Sequence, residues 1–436
     1  MRNSRLWARM LAVESGTVIE GISWEENPGP DGEPEITVIA RVRPHRRRAG
    51  RCGICGRRCP GYDQGERRRW RALDLGAIRA ELEGAAPRVS CPGHSVTVAA
   101  VPWARHGARH TRAFEDTIAW LACAASKATI CELMRTGWRT IGHIITRVAA
   151  GAAAGTDRLA GLRRIGIDEI SYRKGHKYLV VVVDHDTGLL IWAAPGRTMK
   201  TVASFFDALG PDRTAALTHV SADGASYIAT VVSARAPAAT QCTDPFHVVS
   251  WAADALDQVR REVWQAARAQ PGGSDPRRRG RRIIPSSAGD ARSLKRTRYA
   301  LWKNPDNLTD RQQAKLAWIE KTHPYLYRAW LLKEGIRVIF ALKGQPEAAR
   351  EALARWLRWA ARSRIPQFVE LGRQIRKHQA GILASIDNSM SNGLIESVNT
   401  KVRLITRVAY GFHGPQALIA LAMLSLGGQR PALPGR

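Results

Sequence analysis

Acidic side chains and long apolar runs are both scarce in this chain. No stretch of 18 apolar residues occurs, and no basic amphipathic segment carries a bulky apolar face, so neither a membrane span nor a membrane-surface helix is expected. The start, Met1-Arg-Asn-Ser-Arg-Leu-Trp7, lacks the apolar core of a secretory signal, which leads us to expect a cytoplasmic protein. Seven cysteines in such a chain point to metal or free thiols and away from a disulfide framework.

What remains is basic. There are 67 Lys and Arg against 38 Asp and Glu, a formal net charge of +29, and most of the excess is Arg. The flat guanidinium pairs with phosphate through two parallel hydrogen bonds, so a polyanion, and nucleic acid first, is the expected partner. With 436 residues and 44% apolar content, the chain has ample material for several domains with packed cores.

Residues 1–102 read as a β-rich region. Thr17–Ile22 and Glu35–Val42 are β-branched and partly alternating, separated by a Pro/Gly/Asp-rich loop from Glu25 to Pro34. Cys52-Gly-Ile-Cys55 and Cys91-Pro-Gly-His94 are two short pairs across a long spacer. Together Cys52, Cys55, Cys91 and His94 make the ligand set of one structural Zn²⁺ in a zinc ribbon, with Cys59 able to replace Cys55 in another register. Four protein ligands leave no open position, which argues against a catalytic zinc.

Residues 103–155 read as helices. A helix from Ser126, a tight turn at Thr136-Gly137 and a second helix outline a helix-turn-helix. The second helix would present Arg139, Thr140, His143 and Arg147 to a DNA groove, with Ile141, Ile144, Ile145 and Val148 inside. Ala149–Gly155 reads as a small-residue linker.

From Leu162 the pattern changes to strands: Arg164–Ser171, Tyr178–Asp184 and Leu189–Ala194, then helix, strand (Ala216–Ala222), helix, strand (Ala238–Cys242) and helix. Three antiparallel strands followed by alternating units are the order of an RNase H-like mixed α/β sheet, expected over 156–268. Residues 269–384 read as a basic loop, with Arg277–Arg282, followed by an all-helical insertion whose Trp residues belong to its core. Residues 385–436 would complete the catalytic domain. The fold class is therefore multidomain α+β.

The last segment carries the sharpest pattern. After Asn392-Gly393, Ile395, Val398, Val402 and Ile405 form an apolar stripe, and Glu396, Asn399, Arg403 and Arg407 form a polar one. An RNase H-like sheet sets the middle of its first strand, Asp168, beside the end of its fourth, Asp223. A helix packed there would add Glu396. Three carboxylates suit two hard cations, Mg²⁺ or Mn²⁺, in phosphoryl transfer, with Asn399, Arg403 and Arg407 against DNA phosphate. Other acids compete. Glu169 points to the opposite face from Asp168, and Asp184 and Asp186 sit in a hairpin turn. Asp244 and His247 read either as a helix cap with a hydrogen-bonded histidine or as a pair that orients the metal ligands or contacts DNA.

Asp168-Glu-Ile-Ser-Tyr-Arg-Lys-Gly-His-Lys-Tyr178, Asp223-Gly, Asp244-Pro-Phe-His-Val-Val249 and Asn392-Gly-Leu-Ile-Glu-Ser-Val-Asn-Thr-Lys401 jointly resemble the signatures of DDE transposases of bacterial insertion sequences, above all the ISL-three family. The resemblance covers nearly the whole chain after residue 40. It implies that Asp168, Asp223 and Glu396 are a catalytic triad and that Asp244 and His247 match a shared D-x-x-H element. One departure is Ser397, where many members of that family have Gly. The implied function is metal-dependent cleavage at terminal inverted repeats and strand transfer into target DNA by an oligomer, at least a dimer, located at the nucleoid. Two other readings remain open at this point. One is a catalytically silent, sequence-specific DNA-binding regulator derived from a transposase; the other is a different RNase H-like nuclease.

Overall fold

The computed structural model describes residues 4–28, 33–222, 225–269, 288–342, 344–388, 390, 393–412 and 414–435. Asp223, Asn392 and the basic run 277–282 lie outside them. The chain divides into two compact units, Met1–Arg158 with Lys401–Arg436, and Leu159–Thr400.

The first unit opens with α1 (Ser4–Met10), β1 (Thr17–Pro28) and β2 (Pro34–Pro44), then β3 (Gly61–Asp63), β4 (Arg67–Arg71), β5 (Arg79–Ala85), β6 (Arg88–Cys91) and β7 (Ser95–Val98). Among the described residues these strands form two sheets, β1-β2-β5-β4 and the ribbon β3-β6-β7. Leu11, Val42, Trp70, Leu82 and Trp103 fill the core of the first. The expected loop from Glu25 is strand as far as Pro28. Glu25 pairs with Thr37 across the hairpin, and its carboxylate accepts two hydrogen bonds from Arg69 of β4 at 2.7 and 2.8 Å. That fork, brought from far along the sequence, carries the strand through a segment of poor β propensity.

Three helices follow, α2 (Arg112–Ala122), α3 (Lys127–Met134) and α4 (Trp138–Ala154). Thr111 and Ser126 cap the first two, accepting from Phe114 N and Thr129 N. Ile118, Ile130, Ile141, Ile144, Ile145 and Val148 are buried, as the 3.6-residue period requires. The turn differs by a residue or two from expectation. Arg135 takes the left-handed conformation that ends α3, and Gly137 caps α4. Arg135 is held there by hydrogen bonds to Asp74 (2.9 Å) and Ala77 O (3.1 Å). The expected small-residue linker is also corrected: alanine is the best helix former, so α4 runs on to Ala154 and stops at Gly155.

The second unit carries β8 (Arg164–Arg173), β9 (Lys177–Asp184), β10 (Leu190–Pro195), α5 (Met199–Leu209), α6 (Pro211–Ala215), β11 (His219–Ala222), α7 (Ser226–Arg235), β12 (Thr240–Thr243) and the long α8 (Pro245–Ala269). The strand order is β10-β9-β8-β11-β12. The first three strands are antiparallel, and β11 runs parallel to both β8 and β12. This is the RNase H-like order expected. Val180, Val181, Val182 and Val183 of β9 are all buried, each contributing about 1.5–3 kcal/mol of apolar burial. One face of the sheet, with Ile165, Ile167, Val180, Val182 and Val220, packs on Phe205 and Phe206 of α5 and on Ile228 and Val232 of α7.

The insertion is helical: α9 (Ala288–Lys295), α10 (Arg298–Trp302), α11 (Asp310–Thr322), α12 (Pro324–Ala341), α13 (Pro346–Arg362), α14 (Pro366–Lys377) and α15 (Gln379–Asp387). Its core includes Trp330 and Trp356 and is shared with Val248, Leu256 and Val263 of α8. Trp356 also donates to Leu332 O at 2.8 Å. α16 (Gly393–Val408) begins in this unit and ends in the first, where α17 (Pro415–Leu426) packs on α4.

Candidate active site and metal centre

Strand alternation decides which acids can meet. Gly166 and Asp168 of β8 share the face opposite the α5 and α7 core, whereas Glu169 points to the other side. There Glu169 pairs with Arg197 and accepts from the Tyr227 hydroxyl. Asp184 is consumed by its own turn, accepting from Asp186 N at 3.0 Å and Thr187 Oγ1 at 2.6 Å. Asp186 pairs with Arg164.

The open face receives the first turns of α16, where Ile395 and Val398 are buried. Ile395 lies directly over Gly166, where a Cβ would collide with the Ile395 side chain and with His185 Nε2. His185 shares a 2.7 Å hydrogen bond with Ser221 of β11, and burial, reinforced by Arg164, holds its ring below the usual histidine range. One turn further along α16, Asn399 Nδ2 donates to Asp168 Oδ2 at 2.7 Å. Asp168 Oδ1 accepts from Glu169 N, also at 2.7 Å. Glu396 precedes Asn399 by three residues, so the two are neighbours on the helix surface; Glu396 is exposed.

Ile167, just before Asp168, pairs with Ala222, whose sequence neighbour is Asp223. Asp244 N donates to Ala222 O at 3.1 Å. Asp244 is buried; it accepts from Phe246 N at 3.0 Å as the cap of α8 and from His247 Nδ1 at 2.7 Å. Asp244 thus caps α8 and holds His247 together, as the first of the two readings of that pair expects.

In the first unit, Cys52, Cys55, Cys91 and His94 place one ligand atom each within 4.8 Å of one another. Cys52 Sγ lies 3.7 Å from His94 Nδ1, Cys91 Sγ 3.6 Å from the same nitrogen, and Cys55 Sγ 3.7 Å from Cys91 Sγ. A tetrahedral zinc with bonds of about 2.3 Å to sulfur and about 2.0 Å to nitrogen sets its ligand atoms about 3.5–3.8 Å apart, so the four fit it. Burial opposes ionisation of Cys91, but the Gly93 N–H and the neighbouring thiols outweigh it and draw the thiol down to about 7. Cys59 is not one of the four. Its thiol donates to Arg57 O at 3.4 Å.

The sequence matches the DDE domain of transposase family ISL3, described as a transposase, over residues 165–422. The helix-turn-helix domain of the same family matches 99–149, and the zinc finger of the IS204/IS1001/IS1096/IS1165 transposases matches 48–94. The chain belongs to the ISL3 family of insertion-sequence transposases. It is 57% identical over 442 residues to the transposase for insertion sequence element IS1557 of Mycobacterium tuberculosis, covering 100% of this chain and 98% of the relative. To the transposase for IS1001 of Bordetella parapertussis it is 25% identical over 400 residues, covering 91% of this chain and 92% of the relative. It is thus a DNA-acting enzyme with a zinc ribbon, a helix-turn-helix and a DDE domain, the last implying a divalent metal. Among the described residues no helix is long and apolar enough to cross a membrane.

The structure departs from the sequence reading at two of the site residues. Arg147 is half-buried. Its guanidinium pairs with the fully buried Glu115, which also holds Arg105 at 3.3 Å. Arg139 and His143 are exposed and Thr140 is half-buried. Asn399 is 4% exposed and bonded to Asp168, which withdraws it from a DNA-facing row, while Arg403 and Arg407 remain exposed. Gly166 and His185 were missed. A glycine inside a β-branched strand was the available signal for the first, since it marks close approach of another element.

Proposed function

We propose that this transposase cleaves DNA at the terminal inverted repeats of its element and joins the freed 3′ ends to target DNA, using Asp168, Asp223 and Glu396 to hold two Mg²⁺ or Mn²⁺ ions. The observation that carries this reading is the seating of α16 on β8, with Ile395 over Gly166 and Asn399 on Asp168. It brings the Glu-bearing turn of the helix to the Asp168 face. The donors are carboxylate oxygens, the ligand type that hard cations prefer. Bound there, the ions would activate the attacking hydroxyl and stabilise the leaving oxygen. The protein's own part is to fix the acids: Glu169 N and Asn399 hold Asp168, and the Asp244 N–H anchors the start of α8 against the end of β11 while the Asp244 carboxylate holds His247.

Recognition of the ends falls to the first unit. Arg139, Thr140 and His143 on α4 would read the groove, and the zinc ribbon, held by Zn²⁺ on Cys52, Cys55, Cys91 and His94, would add backbone contacts. Pairing two ends requires at least a dimer on DNA, and such a protein would reside at the nucleoid. The test is a supercoiled plasmid carrying the inverted repeats that flank the gene, incubated with the protein and Mg²⁺ or Mn²⁺. Nicks at the repeat ends are expected. Specific binding without nicking would favour a regulator, and cleavage of branched DNA regardless of the repeats would favour another RNase H-like nuclease.

A further inference from the structure

The polar stripe of α16 has one member that behaves unlike the others. Glu396, Arg403 and Arg407 are exposed, but Asn399, on the same face by period, is buried to 4%. Its amide N–H₂ donates to Asp168 Oδ2 at 2.7 Å, and the backbone N–H of Glu169 donates to Asp168 Oδ1 at 2.7 Å. Each carboxylate oxygen thus carries a donor from a different element, one from α16 and one from β8 itself. A carboxylate gripped from both sides cannot swing between rotamers, and its orientation becomes a property of where α16 sits.

The other end of the Asn399 amide is equally informative. Asn399 Oδ1 is buried and has no hydrogen-bond partner among the described residues. An unsatisfied buried acceptor costs about 1–3 kcal/mol, so an apolar side chain would serve better if the position only packed the helix on the sheet. An acceptor beside a metal-binding carboxylate suits the water that a hydrated cation brings with it, since Mg²⁺ and Mn²⁺ give up their waters reluctantly.

We infer that Asn399 is a positioning residue of the active site: its Nδ2 fixes the Asp168 carboxylate for the divalent cation and its Oδ1 accepts from the cation's hydration water, and it makes no contact with DNA. The inference rests on the triad reading above and deepens it. It also explains why one residue of the stripe is an uncharged amide. Lys or Arg there would neutralise Asp168, and Asp or Glu would repel it.

The experiment uses the full-length, zinc-loaded protein and Mn²⁺ as the probe. Mn²⁺ binding is followed by electron paramagnetic resonance for wild type, Asp168→Asn, Asn399→Ala and Asn399→Leu. The leucine variant keeps the volume and helix packing without the amide, which guards against loss of the fold. Affinity for a terminal-repeat duplex, the melting temperature and the Mn²⁺ concentration for half-maximal nicking are measured alongside. We expect both Asn399 variants to bind the duplex within about twofold of wild type but to lose about tenfold in Mn²⁺ affinity, as the loss of an outer partner of a metal ligand does. Half-maximal nicking should then need correspondingly more Mn²⁺, and excess metal should restore much of the rate. A drop in duplex affinity with Mn²⁺ binding unchanged would overturn the inference in favour of a DNA contact. A lower melting temperature with both affinities unchanged would overturn it in favour of packing alone. If wild type binds no more Mn²⁺ than Asp168→Asn, the triad reading itself fails, and that result is distinct from the other two.

Discussion

Gly166 makes room for α16 on the proposed active face. It lacks a side chain where Ile395 and His185 need the space. Gly166→Val should push α16 off β8, and nicking should fall at least tenfold while binding of terminal repeats by the first unit persists; comparing the two assays on one preparation checks this. Arg147 illustrates the opposite fate, a residue that reads as a DNA contact and is a structural partner. Glu115 is fully buried, and burial raises its carboxyl above the ordinary range even with Arg147 and Arg105 beside it. Arg147→Ala should destabilise the first unit by about 3 kcal/mol, toward the lower end for a broken buried pair because Arg105 remains, whereas Arg139→Ala should weaken duplex binding with an unchanged melting temperature. His110 supplies a pH dependence. Burial first, then Arg147, Arg71 and Arg109, hold its ring at about 4, below the usual value of about 6.5 in an unfolded chain. The folded state therefore keeps the ring neutral. Its contribution is intact above about pH 6.5 and is lost progressively as pH falls toward about 4. Melting curves across that window should slope more steeply for wild type than for His110→Asn.

At the scale of elements, much was legible in advance where a period has only one solution. The four buried residues of α4, Ile141, Ile144, Ile145 and Val148, were given by helical spacing, and the mixed sheet by the order of its strands. Spacing could not separate Asn399 from Glu396. Both lie on the polar stripe of α16, and only the presence of Asp168 beneath one of them decides which is buried. Nor could it turn Arg147 inward, because the carboxylate that draws it lies on another helix. The extension of β1 to Pro28 depends on Arg69, which arrives from β4. In each case local preference was overruled by a charged side chain supplied from elsewhere in the fold. The apolar stripe of α16 gives a test at this scale. Val398→Asp should impair nicking without affecting end binding, since Val398 is buried on the side that holds the helix to the sheet. The zinc ribbon gives another. Elemental analysis should find one zinc per chain, and Cys52→Ser or a strong chelator should remove it together with part of the duplex affinity; full affinity in the metal-free protein would contradict the ribbon's role.

The whole molecule is organised by charge and by a division of labour. A net charge of +29 belongs to a chain that lives on phosphate, so binding to a terminal-repeat duplex should weaken steeply with salt, by about 0.9 in the logarithmic slope for each phosphate contacted. The first unit holds the modules that match zinc-finger and helix-turn-helix domains, and the second holds the sheet and the α16 turn with Asp168 and Glu396. The Asp244 backbone N–H ties the start of α8 to the end of β11, and α8 shares its core with the helical insertion. We propose that three acids from distant parts of the sequence form one cleavage centre. The most direct test compares Asp168→Asn, Asp223→Asn and Glu396→Gln with wild type for nicking at terminal repeats in Mn²⁺, at protein concentrations where all four bind the duplex equally. Each substitution should remove about 4 kcal/mol of charge stabilisation, a rate loss of about a thousandfold. Nicking at the wild-type rate by any one of the three would contradict the account.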